Sequence, residues 1–129
     1  MNVIDEFIEW LEGYADLSGY VLSRGMWVES DATKDRRFIA FRNMGGRSPV
    51  AGTVRYPQVS LLIVGRRGER QFAGGIKAVE DFASGIIPYA IENFKSGCVF
   101  NIEPLAEMIG PGYTEHDRPW YELNFELMI

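Results

Sequence analysis

The chain has 129 residues, 47% hydrophobic and 13% aromatic, which suits a single domain over residues 1–129 with a real core and excludes a disordered chain. No apolar run approaches bilayer-spanning length, so no membrane partner is expected, and the lone Cys98 excludes an internal disulfide. The net charge of −5 is uneven: residues 36–70 hold eight arginines against the single acid Glu69, a charge of +7 that leaves −12 for the rest.

The first element in chain order is an amphipathic helix over Val3–Ala15. Ile4, Phe7, Ile8, Leu11 and Ala15 fall at helical spacing, flanked by Trp10 and Tyr14, and acids line the opposite face. Asn2 is placed to cap it. Leu17–Arg24 reads as a connection, and Met26–Glu29 as a short edge strand. Arg37–Asn43 is a strand with Phe38 and Ala40 on one face and Ile39 and Phe41 on the other. A loop or extended arm follows at Met44–Gly52. Pro57–Arg67, apolar on both faces, reads as an interior strand that pairs with Arg37–Asn43 in a long hairpin.

Ala73–Phe94 has a helical stripe of Ile76, Val79, Ala83, Ile87, Ala90, Ile91 and Phe94. Gly85 and Pro88 predict a kink or break within it. Cys98–Glu103 reads as a strand with Cys98, Phe100 and Ile102 on its inner face. Glu107–Pro119 reads as a second polar loop. In Trp120–Ile129, Tyr121, Leu123, Phe125, Leu127 and Ile129 alternate with polar residues, the pattern of a half-buried strand. The fold class expected is α+β: a mostly antiparallel, mixed sheet with two main helices packed on one face.

The residues that carry chemistry are sparse. One histidine and one cysteine cannot build a usual zinc site, and His116 between Glu115 and Asp117 is expected to be an exposed loop residue. Cys98 is expected to be a buried structural thiol, and no Gly-x-Ser-x-Gly elbow is present. Gly65-Arg66-Arg67-Gly68 and Gly74-Gly75 match neither a P-loop nor a dinucleotide fingerprint, although Gly74-Gly75 before a helix could hold an anion. The carboxylate pairs Glu103/Glu107 and Glu122/Glu126 mark no cleft. No cofactor, metal or catalytic residue is therefore expected, and the function expected is the binding of other protein subunits in a reducing cytosol. An acidic chain without an aromatic-rich basic motif does not read as a nucleic-acid groove.

The layout carries a resemblance. It comprises the acidic helix Val3–Ala15, the strand-loop-strand unit Arg37–Arg67 containing Arg55-Tyr56-Pro57-Gln58-Val59, and the helix Ala73–Phe94. The chain closes on Gly110-Pro111-Gly112-Tyr113-Thr114-Glu115-His116-Asp117-Arg118 and the strand Trp120-Tyr121-Glu122-Leu123-Asn124-Phe125-Glu126-Leu127. This order resembles the tail terminator (tail completion) proteins of long-tailed bacteriophages. The resemblance implies a homo-oligomeric ring, typically a hexamer, on the head-proximal end of the tail tube. Its implied partners are the tail tube protein and the head-completion or connector protein, with DNA only passing through the lumen. The implied location is the host cytoplasm during assembly and then the virion tail. Tail tube and head-completion proteins share similar layouts, and a non-enzymatic adaptor domain is the other reading. A ring needs two unlike faces on each subunit, and the +7 and −12 segments would supply them. The candidate subunit-interface residues are Arg42, Arg47 and Arg55 in or beside the first loop, with Glu115, Asp117 and Arg118 in the second. Arg47 and Arg55 are expected to pair with carboxylates of the adjacent subunit.

Overall fold

The structure, a computed structural model, describes residues 2–25, 29–47 and 54–129. The expected Met26–Glu29 strand falls mainly outside those residues, as does most of the Met44–Gly52 loop. Helix α1 runs Val3–Glu12, and the Asn2 side chain accepts hydrogen bonds from the Ile4 and Asp5 amides, which would otherwise lack partners. It ends at Glu12, three residues short of the expected boundary, with Gly13 as its C-cap. Its buried stripe is Val3, Ile4, Phe7, Trp10 and Leu11, so Trp10 is a core residue and not a flanking one.

Among the described residues six strands form one mixed sheet: β1 (Tyr20–Arg24), β2 (Arg37–Gly46), β3 (Pro57–Val64), β4 (Asn101–Pro104), β5 (Ile109–Tyr113) and β6 (Pro119–Met128). The order is β1-β2-β3-β6-β4, and β5 shares the outer edge of β6 with β4. Only β1–β2 is parallel; the other pairings are antiparallel. The β2–β3 hairpin and the alternating β6 form where the sequence predicts, but β2 continues past Asn43 to Gly46, into the expected loop, β3 stops at Val64 and not Arg67, and Ile129 is only half-buried. Two segments differ. Leu17–Arg24 contains a strand, β1, and the second polar loop contains β5. Glycine and proline mask β5 in the sequence, but proline is tolerated at a sheet edge, where an N–H is not needed. Gly112 is required there because a Cβ would collide with the Trp120 indole.

Helices α2 (Lys77–Ser84) and α3 (Ile86–Glu92) form one helical run interrupted at Gly85. Pro88 offers no N–H to the Ser84 carbonyl four residues earlier, which weakens the ladder at that point. Gly85 also admits the Tyr14 hydroxyl, which would clash with any Cβ there and donates instead to the Phe82 carbonyl at 2.8 Å.

All three helices pack on one sheet face. Ile39 and Phe41 from β2, Val59, Leu61 and Ile63 from β3, and Tyr121, Leu123, Phe125 and Leu127 from β6 meet Phe7, Trp10, Leu11, Val79, Ala83, Ile86 and Ala90. Phe7 lies at the centre, with ring contacts to Trp10, Phe41 and Phe125. Three polar tips tie the layers together. Trp10 Nε1 donates to the Asn93 carbonyl at 2.7 Å, Tyr14 anchors as above, and Tyr121 Oη donates to Glu80 at 2.8 Å. Burial, then the Glu80 hydrogen bond, pushes the Tyr121 phenol well above its ordinary range, so it remains a donor.

Cys98 is exposed, against the sequence reading. A turn closed by the Ser96–Val99 bridge, with Gly97 at φ 52°, shifts the start of β4 to Asn101 and puts Val99 into the core in its place. Ile102 remains buried, whereas Phe100 is 61% exposed.

The β2–β3 hairpin bulges between Asn43 and Gly46. Gly46 has φ 119°, and a Cβ there would strike the Tyr56 carbonyl oxygen. Gly46→Ala is therefore expected to destabilise the fold by about 2 kcal/mol, read as a lower midpoint in urea with an unchanged slope.

Candidate functional site

The arginine-rich segment folds so that most of its charge is matched within the chain. Arg37 Nε and Arg66 Nη2 hold the Glu69 carboxylate at 3.0 and 2.5 Å, and the Arg66 amide adds a third donor at 3.0 Å. The Glu69 side chain is 1% exposed. Burial alone would raise its pKa, but the Arg66 and Arg37 hydrogen bonds outweigh burial and lower it to about 2. Arg67 bridges Glu29 and Asp31 at 2.5 and 2.7 Å, and Arg70 meets Asp117 at 3.0 Å. The +7 segment is thus a set of cross-links, with only part of it left as a basic face.

The expected contact residues have different surroundings. Arg42 and Arg55 are exposed, with no carboxylate at ion-pair distance among the described residues. Glu115 is exposed in the Thr114–Arg118 turn. Asp117 adopts a left-handed φ of 58° there and holds Arg70. Arg47, although 59% exposed, pairs with Glu126 of its own chain at 2.9 Å and lies over the Tyr56 ring. Arg118 requires a correction: it is fully buried, so it is an internal strut and not a surface contact. Its guanidinium donates to the carbonyls of Thr33, Arg36 and Gly65 at 2.8–2.9 Å and meets Glu29 at 2.9 Å. Its place at the mouth of a polar loop hides this role in the sequence, because its partners come from residues 29–36 and from Gly65.

The other chemistry candidates also have positions. The Gly74-Gly75 cleft is lined by Arg37, Arg66 and Lys77, but Glu69 and Asp81 already match these cations. Glu122 and Glu126 lie on the helix-free face, where Glu126 holds Arg47 and Gln58. His116 is exposed beside Glu115. Among the described residues no three of His, Cys, Asp and Glu group as metal ligands, and no helix is long and apolar enough to cross a membrane.

The two sides of the sheet present unlike surfaces. On one, β1 covers β2 only over Arg37–Phe41, so the stretch Arg42–Gly46 is uncovered among the described residues and exposed throughout, Met44 included. On the other, α3 and β4 enclose an apolar groove. Ile91, Glu103 and Pro104 run through its whole length, Phe94 and Ile102 line one half, and Ile87 and Leu105 the other. Sequence reasoning missed this groove because Ile91 and Phe94 fit the helical core stripe, and only the short reach of β4 leaves them uncovered.

No curated protein matches the chain significantly. A family described as phage tail termination protein matches residues 1–129, the entire length, and the chain therefore belongs to this family of phage tail structural proteins.

Proposed function

We propose that the chain closes into a ring, of six subunits, on the head-proximal end of the tail tube. There it stops tube growth, offers the head connector a docking surface, and lets DNA pass through its lumen. It assembles in the host cytoplasm and remains in the virion tail. The observation that carries this reading is the match of the whole chain to a tail termination family. The unlike edges of the sheet support it, since a ring is built from heterologous contacts in which one patch meets a different one. Arg42 and Arg55, exposed at one side, are the residues proposed to meet carboxylates of the next subunit.

Light scattering across a concentration series tests this, together with electron microscopy of purified tail tubes mixed with the chain. The expected result is a particle of six times the 14.6 kDa chain mass, or one ring per tube end. A chain that neither closes nor binds tube ends overturns the proposal.

A further inference from the structure

The groove between α3 and β4 is shaped to receive side chains and not a strand. The Ile102 amide, which points out of the sheet, already donates to the Phe94 carbonyl at 2.8 Å, and Pro104 has no N–H to offer. Strand addition at this edge is therefore blocked. What remains open is apolar: Ile91 is 65% exposed, Leu105 47% and Phe94 43%. Exposed apolar surface of this kind beside a polar rim marks a contact site. The rim is acidic. Glu103 and Glu107 line the groove, and the exposed Glu92 follows Ile91. No arginine or lysine lines it, and the nearby Lys95 ammonium lies 5.5 Å from the Phe94 ring.

The opposite edge of the same sheet has the complementary chemistry. The stretch Arg42–Gly46 is exposed, with Met44 between Arg42 and Arg47, and Arg55 lies two residues before Pro57, the β3 partner of Gly46, where its backbone pairs with Ile129 at the end of β6. The two edges are level. Arg42 pairs with Ser60, Ser60 with Asn124, and the Leu105 amide donates to the Asn124 carbonyl, so one row of the sheet runs from the basic stretch to the groove. A contact joining the two ends of one row leads from subunit to subunit in the same sense, which is the head-to-tail geometry a closed ring needs.

We infer that the Arg42–Gly46 edge of one subunit docks into the α3–β4 groove of the next, with Met44 on the apolar floor and Arg42 and Arg55 facing Glu103 and Glu107. This rests on the ring proposed above and specifies its interface.

Three proteins test it in whichever setting the wild type assembles, free or on tube ends. Ile91→Glu puts a charge in the groove, and Arg42→Glu with Met44→Asp reverses the opposite edge. All three side chains are exposed, so the thermal midpoints should hold. Each variant is expected to require roughly a hundredfold more protein to assemble. Mixed together they should form a one-to-one heterodimer that grows no further, because the one intact edge and the one intact groove meet in that contact and only the altered edge and groove are left open. A wild-type ring that both variants still form normally overturns this interface and leaves the ring standing. So does a mixture in which one variant pairs with itself, which would indicate a symmetric contact. A wild type that assembles in neither setting overturns the ring and the interface together.

Discussion

Arg118→Ala is expected to lower the melting temperature by about 12–20 °C. The side chain is fully buried and supplies the donors for three backbone carbonyls as well as the Glu29 carboxylate. Removing one partner of a buried charged network leaves the others desolvated and unmatched, which costs about 3–5 kcal/mol. For a chain of this length each kcal/mol moves the midpoint by roughly 4 °C. The Phe38 ring, whose centroid lies 5.3 Å from the guanidinium, would also lose its cover. Arg118→Lys should recover only a minor part. One ammonium keeps the charge but cannot reach carbonyls arrayed around a planar fork. Differential scanning calorimetry of the three proteins checks this; equal midpoints would show that Arg118 contributes nothing.

Glu69→Gln is expected to cost about 3 kcal/mol at neutral pH and to remove a specific part of the acid denaturation curve. Glu69 binds Arg37, Arg66 and the Arg66 amide from a buried position. Its folded pKa lies near 2, below the ordinary value of 4.5. A depressed carboxylate pKa stabilises the fold above the unfolded pKa, and that stability is lost as the pH falls through the folded one. The window therefore runs from about pH 4.5 down to about pH 2. The shift converts to about 3 kcal/mol at 1.36 kcal/mol per unit. Urea midpoints measured from pH 7 to pH 2 should fall more steeply through that window in the wild type than in the variant. Parallel curves would mean that Glu69 is not held in its charged form by the two arginines.

Both predictions concern residues whose importance is invisible along the chain. Glu69 reads as a lone acid after a turn, and Arg118 as one charge among several in a polar loop. Beyond the neighbouring Arg66, their partners lie 32 residues away for Arg37 and 82–89 residues away for Arg36, Thr33 and Glu29. No local pattern records such pairings. The candidate site was legible to the same extent. Arg42 and Arg55 lie exposed near the first loop, where the sequence reading put them, but the apolar half of the surface, Ile91 and Leu105, carried no signal.

What the sequence by itself determined is the set of elements with strong periodicity. Helix α1, the β2–β3 hairpin, the interrupted helix at Gly85 and strand β6 each declare themselves, because burial of one face imposes a repeat of 3.6 or 2 on the residues that fill it. The α+β class follows from their order, and that order carries the resemblance to tail terminators that the family match bears out. The tertiary structure alone decided the rest. Strands β1 and β5 are too short or too rich in glycine and proline to declare themselves, and they form because β2 and β6 offer unpaired backbone at their edges. The exposure of Cys98 was decided by a turn at Gly97. Which arginines are cross-links and which remain free was decided by distances across the fold, since a long cation can be matched by any carboxylate that folding brings within reach.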